Sequence, residues 1–333
     1  MIKRLPFLGL VCGLALGLIT PLLTGASSPG FWLEVLLGGL MAGVLYALVA
    51  LGFVLIFKAS GVFNFAQGAM VLFSALAVAR LSERLPLWLA VVITLMIMIL
   101  LAVLIERLVL RPLVNQSGVT LLMATLGVAY VLEGLGQTVW GSDIYSIDVG
   151  IPREPMLVLE TVFPGGILLN RDDLAAAGGA IALVGALVLL FRKSKTGLAL
   201  RAVAGDPQAA QSVGISLRRI WVTVWSIAGG VATVTGVVWG GKLGVQFSLA
   251  LIALKALPVV ILGGFTSIPG AILGGLIVGV GEKMAEVFLG PQLVRAFELA
   301  GGGIENWFAY VLALLFLLVR PEGLFGERHI NRV

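Results

Sequence analysis

The sequence predicts an all-α, polytopic helical membrane protein with eight to ten transmembrane helices and both termini cytoplasmic. Composition is the first reason. The 333 residues are 59% hydrophobic and 12% charged, with a mean hydropathy of +1.10, against about 45–50% apolar and about 25% charged in soluble domains. The second is run length, since a helix needs about 20 mostly apolar residues to cross a bilayer and many runs approach this. The third is the 44 glycines, about twice the usual share and without a collagen-like period, which suits close helix approach in lipid. These figures exclude a soluble enzyme, a disordered chain and a nucleic-acid-binding module.

The first run, Leu5–Thr24, follows Lys3 and Arg4 and is longer than a secretory signal core of about 7–15 residues. It reads as an uncleaved extra span within residues 1–30, with cleavage near Ala26–Ser28 as the alternative. Val35–Phe57 and Ala59–Ala79 follow, separated only by Lys58, as a tight hairpin. Leu85–Ile105 is the fourth run, and Gly118–Trp140 the fifth, interrupted by Glu133. Leu174–Phe191 and Ile220–Gly241 are the sixth and seventh. Leu243–Gly264, with Lys255 and Pro258, is the eighth. Gly270–Gly281 opens the ninth, which continues towards Leu289, and Asn306–Val319 is the tenth. The third and eighth runs are rich in Gly or polar residues and can be half-spans, which lipid tolerates only where protein or a cavity covers them.

Lys and Arg set orientation. In the ten-span arrangement 14 of the 22 fall on the cytoplasmic side and six outside, with Lys255 and Lys283 inside spans. Residues 141–173, with six carboxylates, form a periplasmic loop, and the basic residues 192–219 a cytoplasmic one. Neither has the size of an independent domain, so residues 1–333 form a single transmembrane domain. The net charge of +5 is a topology signal and not a mark of nucleic-acid binding.

Little in the chain serves catalysis. One cysteine, Cys12, and one histidine, His329, provide neither a disulfide nor a Cys/His metal site, and no catalytic or metal-binding residue is assigned. Gly236-Val-Val-Trp-Gly-Gly241-Lys242-Leu243 approaches a phosphate-binding loop. Leu243, however, lacks the hydroxyl that would meet Mg²⁺, and the stretch follows a membrane span instead of a strand. Glycine packing beside an interfacial lysine is the better account.

Three features are candidates for function, two for a solute path and one for docking a partner. Asn64 and Gln67 in Gly61-Val-Phe-Asn64-Phe-Ala-Gln67-Gly68 stand three apart, on one face if helical, and line a path or serve as interhelical hydrogen-bonding glue. Glu133 and Lys255 are ionisable groups within spans, which points to function by default. Glu133 reads equally as interfacial, and Lys255 as a structural ion-pair member or a snorkelling side chain. In the inner loop, Asp206 can cap a short helix over Pro207–Val213 with Pro207 first, and Gly214 can stop it. Such a helix is either a docking knob for a cytoplasmic partner or a plain connector.

Four stretches together resemble the branched-chain amino-acid type of ABC importer permease, a family that includes urea and short-chain amide relatives. Tyr46-Ala-Leu-Val-Ala-Leu-Gly52, with Gly61-Val-Phe-Asn64-Phe-Ala-Gln67-Gly68, is similar to its Y-A-L-x-x-x-G and N-F-A-[HQ]-G. Arg201-Ala202, Asp206, Ala210, Gly214 and Ile215 match its inner-loop pattern. Lys255-Ala256 with Leu262-Gly263-Gly264-Phe-Thr-Ser267-Ile-Pro269-Gly270-Ala271 is similar to its K-A and L-G-G-x-G-S-x-P-G-A, with Thr266 where Gly is usual. Arg320-Pro-Glu-Gly323-Leu-Phe-Gly326 is similar to its closing R-P-x-G-L-x-G. The resemblance covers roughly residues 33–326. It implies a non-catalytic permease subunit in a bacterial inner membrane, importing branched-chain or other small neutral amino acids. The alternatives are urea or short-chain amides on the same architecture, and, from a different class, an ion-coupled secondary transporter. It also implies a second permease subunit, two cytoplasmic ATP-binding subunits that hold ATP and Mg, and an extracytoplasmic solute-binding protein. This chain would hold no cofactor. Tyr46, Asn64, Gln67, Glu133 and Lys255 are then the path candidates. Arg201, Asp206, Ala210 and Gly214 would form the element coupled to the ATPases.

Overall fold

Residues 28–113, 116–152, 154–298 and 303–326 are described by the structure, a computed structural model. The predicted first run lies outside them. The second run extends into helix α1, Pro29–Ser60. Ser28 caps it by accepting from the Phe31 N–H at 3.2 Å, and Gly61 ends it at φ +68°, a conformation that suits glycine.

The third run is not continuous, which corrects the tight-hairpin expectation. Residues 61–66 are non-helical, and α2 covers only Gln67–Ser82. Sixteen residues reach about 24 Å, short of a bilayer core of about 30 Å. The irregular backbone is held by protein: the Phe65 N–H donates to the Thr125 hydroxyl at 3.3 Å, and that hydroxyl lies 3.2 Å from the Phe63 carbonyl. Three ring contacts, Phe53–Phe63, Phe63–Phe65 and Phe63–Phe265, fill the space around it.

Helix α3, Leu87–Ile105, runs on into a π-helical turn over Glu106–Leu110, and α4 is Gly118–Trp140. Two short antiparallel strands follow inside the acidic loop, β1 Pro155–Val158 and β2 Ile167–Asn170, with Pro155 opposite Asn170. They are the only strands among the described residues. Helix α5, Arg171–Lys193, has Asp172 and Asp173 in its first turn and Arg192 and Lys193 in its last, which matches the helix dipole at both ends. The inner loop folds into two helices, α6 Lys195–Gly205 and α7 Pro207–Ser212. Helix α8 is Leu217–Leu243. A 3₁₀ turn, Phe247–Leu251, leads into α9, Ile252–Gly263, with Pro258 in its interior. Helix α10, Ile268–Met284, is followed by a π-helical turn and by α11, Gly290–Phe297. Helix α12 is Ile304–Val319.

By length and composition, α1, α3 with its π turn, α4, α5 and α8 can each cross a membrane. The segments Phe247–Gly263 and Ile268–Phe297 form a pair bent by 116°, which brings the number to six if the pair is one span. Helices α2 and α12 are shorter and apolar. Contacts sort the molecule into two ends. At the hairpin end the Leu168 N–H donates to Glu34 at 2.9 Å, Lys242 pairs with Asp173 and Tyr145 bridges to Val245. At the opposite end Lys58 donates to the Thr266 carbonyl at 3.0 Å, Trp221 to the Ala59 carbonyl at 3.1 Å and the Leu324 N–H to the Leu262 carbonyl at 2.8 Å. The acidic loop and the basic inner loop therefore lie at opposite ends. The main core draws buried side chains from α1, α2, α8, α9 and α10.

Candidate functional site

Helices α1 and α10 pack through glycine. A Cβ built on Gly43 would lie 2.7 Å from the Gly275 carbonyl oxygen, and one on Gly39 would lie 2.8 Å from the Val280 Cα. Backbones this close bring side chains a turn further along into direct contact. Tyr46 is one turn beyond Gly43, and its hydroxyl donates to Glu282 Oε1 at 3.0 Å. Lys255, on α9, donates to the same oxygen at 3.1 Å. Tyr46 is 5% exposed and Glu282 7% exposed. The Tyr46 ring stacks on Trp239 at 6.0 Å between centroids.

This trio sits at the base of a cleft of about 450 Å³ that reaches the hairpin end. The cleft wall includes Glu34, Met41, Ala42, Asn170 and Val287, and Glu305 lies on it as well. Two further ion pairs line it, Lys242 with Asp173 and Lys283 with Glu286, the latter at 2.9 Å. A charge buried in a low-dielectric span is costly unless paired, and here the counter-charge of Lys255 is Glu282. Lys255 is an ion-pair member, with a carboxylate from a different helix as its partner.

Glu282 is the residue that sequence reasoning missed. It lies in the run that continues from Gly270–Gly281 towards Leu289, so the spans hold an acid besides Glu133. Glu106, 2% exposed with Arg218 at 3.6 Å, is another. The available signal was an acid next to a glycine-rich apolar stretch, which carries the same default as Lys255.

The remaining path candidates lie elsewhere. Asn64 and Gln67 do not share a helix face: Asn64 precedes α2 and Gln67 is its first residue. Both are fully buried. Asn64 Nδ2 donates to Gln67 Oε1 at 3.3 Å, and Asn64 Oδ1 accepts from the Ala66 N–H at 3.1 Å. Gln67 Nε2 has no hydrogen-bond partner and presses on Gly52, where a Cβ would collide with the amide. Glu133 is half-buried on α4, away from the cleft.

At the opposite end, Asp206 caps α7 by accepting from the Gln208 and Ala209 N–H groups at 2.9 and 3.0 Å. The helix ends at Ser212, one residue before the predicted Val213, and Gly214 has φ +87°. Ala210 is buried, while Gln208, Ala209 and Gln211 are exposed. Arg201, on α6, folds back to donate to the Phe191 carbonyl and ties α6 to the C-terminus of α5. The glycine stretch before Lys242 is helical and packed. A Cβ on Gly236 would lie 2.8 Å from the Val71 carbonyl oxygen, so no phosphate loop exists there. Among the described residues no group of three or more His, Cys, Asp or Glu is placed to hold a metal ion.

Comparison with known proteins agrees with this architecture. The family described as "Branched-chain amino acid transport system / permease component" matches residues 35–320. The high-affinity branched-chain amino acid transport system permease protein LivH of Salmonella typhimurium is 27% identical over 325 residues, covering 91% of this chain and 98% of that protein. The corresponding permease protein BraD of Pseudomonas aeruginosa is 28% identical over 315 residues, with the same coverage of both chains. A probable LivH of Methanocaldococcus jannaschii is 29% identical over 306 residues, covering 88% of this chain and 92% of that protein. This multi-pass membrane chain belongs to the branched-chain amino acid transport system permease family.

Proposed function

We propose that this chain is the non-catalytic permease subunit of an ATP-driven importer for branched-chain amino acids in a bacterial inner membrane. The division between its two ends carries the reading. At the hairpin end an open cleft descends to buried Tyr46 and Glu282 with the partly exposed Lys255. At the other end a capped short helix, α7, presents Gln208, Ala209 and Gln211. The hairpin end then faces outward, where an extracytoplasmic solute-binding protein delivers the solute. The α7 end faces two cytoplasmic ATP-binding subunits that hold ATP and Mg, with Asp206, Ala210 and Gly214 shaping the docked element and Arg201 anchoring it. Relatives whose names specify branched-chain amino acid transport support the solute class.

A second permease subunit fits against α4. Helix α8 has a mean hydropathy of 1.5 and is 56% buried over its apolar stretch, whereas α4, at a similar 1.6, is only 17% buried. Its uncovered surface includes Gln137 and Thr138 beside the half-buried Glu133, and polar groups in a span face protein or a water-filled path in preference to lipid.

Purification of the chain from native membranes in a lipid-retaining detergent tests this reading. An ATP-hydrolysing complex whose rate rises with leucine-loaded binding protein is the expected result. A chain that purifies without any ATPase subunit contradicts it.

A further inference from the structure

We propose that the Lys255–Glu282 pair, with Tyr46, reads the zwitterionic head of the solute: the solute carboxylate takes the Lys255 ammonium, and the solute ammonium takes the Glu282 carboxylate. This rests on the importer reading above and assigns its solute contact.

Hydrogen-bonding capacity is the first argument. An ammonium has three donors and a carboxylate about four acceptor sites. Among the described residues Lys255 makes one hydrogen bond, to Glu282 Oε1 at 3.1 Å, and Glu282 accepts two, from Lys255 and from Tyr46. Each charge therefore retains capacity for a second partner. Position is the second argument. The pair lies at the base of the 450 Å³ cleft, and the Lys255 side chain is 36% exposed against 9% for that of Glu282. Lys255 can swing towards the cleft while Tyr46 keeps Glu282 in place.

Charge balance is the third. The other lysines on the wall, Lys242 and Lys283, are paired with Asp173 and Glu286. The cluster at the base carries one cation and one anion, Lys255 and Glu282, which matches a solute carrying one of each and no net charge. Among the described residues Glu34 and Glu305 accept from uncharged donors, the Leu168 N–H and Asn306 Nδ2. Their charge near the cleft mouth favours entry with the ammonium leading. Val35, Met41, Ala42 and Val287 give the same cleft an apolar side for an aliphatic side chain.

The test uses the complete transporter in vesicles and the double variant K255Q/E282Q. Removing one member of a buried pair leaves an uncompensated charge, whereas removing both is tolerated when the pair is only structural. Co-purification of all subunits checks assembly of the variant. The proposal predicts a fall in ATP-dependent leucine uptake of at least about ten-fold, equivalent to about 1.4 kcal/mol. Uptake within about two-fold of the unsubstituted complex, a loss of at most about 0.4 kcal/mol, would overturn it. A second readout works even if the double variant assembles poorly. In a complex carrying C12S and M41C, leucine should slow labelling of the cleft cysteine by an impermeant maleimide. Leucinamide, which lacks the carboxylate, and 4-methylpentanoate, which lacks the ammonium, should not. Equal protection by all three, or by none while leucine is still transported, would overturn the assignment and leave the importer reading intact. Absence of leucine uptake in the unsubstituted complex would instead overturn the importer reading, and the assignment with it.

Discussion

Gly43 and Gly275 meet backbone to backbone: a methyl group on Gly275 would lie 2.6 Å from the Gly43 carbonyl oxygen. The contact sets the separation of α1 and α10, and with it the 3.0 Å bond from Tyr46 to Glu282. Overpacking a close contact of this kind costs about 1–3 kcal/mol. Gly275→Ala should lower the melting temperature in detergent and reduce transport together. An unchanged melting temperature would show that the two helices tolerate separation.

Asn64 and Gln67 should differ in their contribution to stability. Asn64 satisfies the Ala66 N–H and Gln67 Oε1 at the break before α2. Asn64→Ala strands these buried groups at about 1–3 kcal/mol. Gln67→Met removes a buried amide nitrogen that has no partner, together with the Oε1 that accepts from Asn64 Nδ2, which keeps the Met70 sulfur at 3.6 Å; it should cost less than Asn64→Ala. Denaturation of the two variants side by side checks the order; equal losses would contradict it.

The α7 cap makes a third case. Asp206→Ala removes both acceptor contacts at the start of a six-residue helix, at about 1 kcal/mol. Burial of Ala210 keeps the helix against the body without the cap. The variant should insert and assemble normally, yet hydrolyse ATP with little uptake. Normal uptake per ATP hydrolysed would show that α7 is a passive connector.

Glu106 and Arg218 supply a fourth. The carboxylate is buried and the cation half-exposed at 3.6 Å. Because Arg218→Gln leaves the buried carboxylate without its counter-charge, it should lower the melting temperature more than Glu106→Leu, which leaves only an exposed cation. The reverse order would show that the carboxylate does not rely on Arg218.

Much of this architecture was legible in the sequence. Long apolar runs located the helices because burial in lipid demands them. The Asp206-Pro207 cap and the Gly214 stop placed α7 to within one residue, because capping chemistry is local. The break at residues 61–66 was visible only as glycine and polar punctuation. What sustains it, Thr125 and the ring contacts of Phe63, comes from distant positions. The hairpin of β1 and β2 is too short to leave a pattern in an acidic loop. The cluster at the cleft base was half visible. Tyr46 and Lys255 were named separately, but Glu282, 236 residues from Tyr46, joins them only through the packing of α1 on α10.

Uptake of labelled leucine into vesicles holding the complete complex, with ATP trapped inside and binding protein outside, tests the central claim most directly. The account predicts uptake that requires ATP, is blocked by excess valine and is unaffected by urea or acetamide. Uptake that ignores ATP and follows an ion gradient would contradict it.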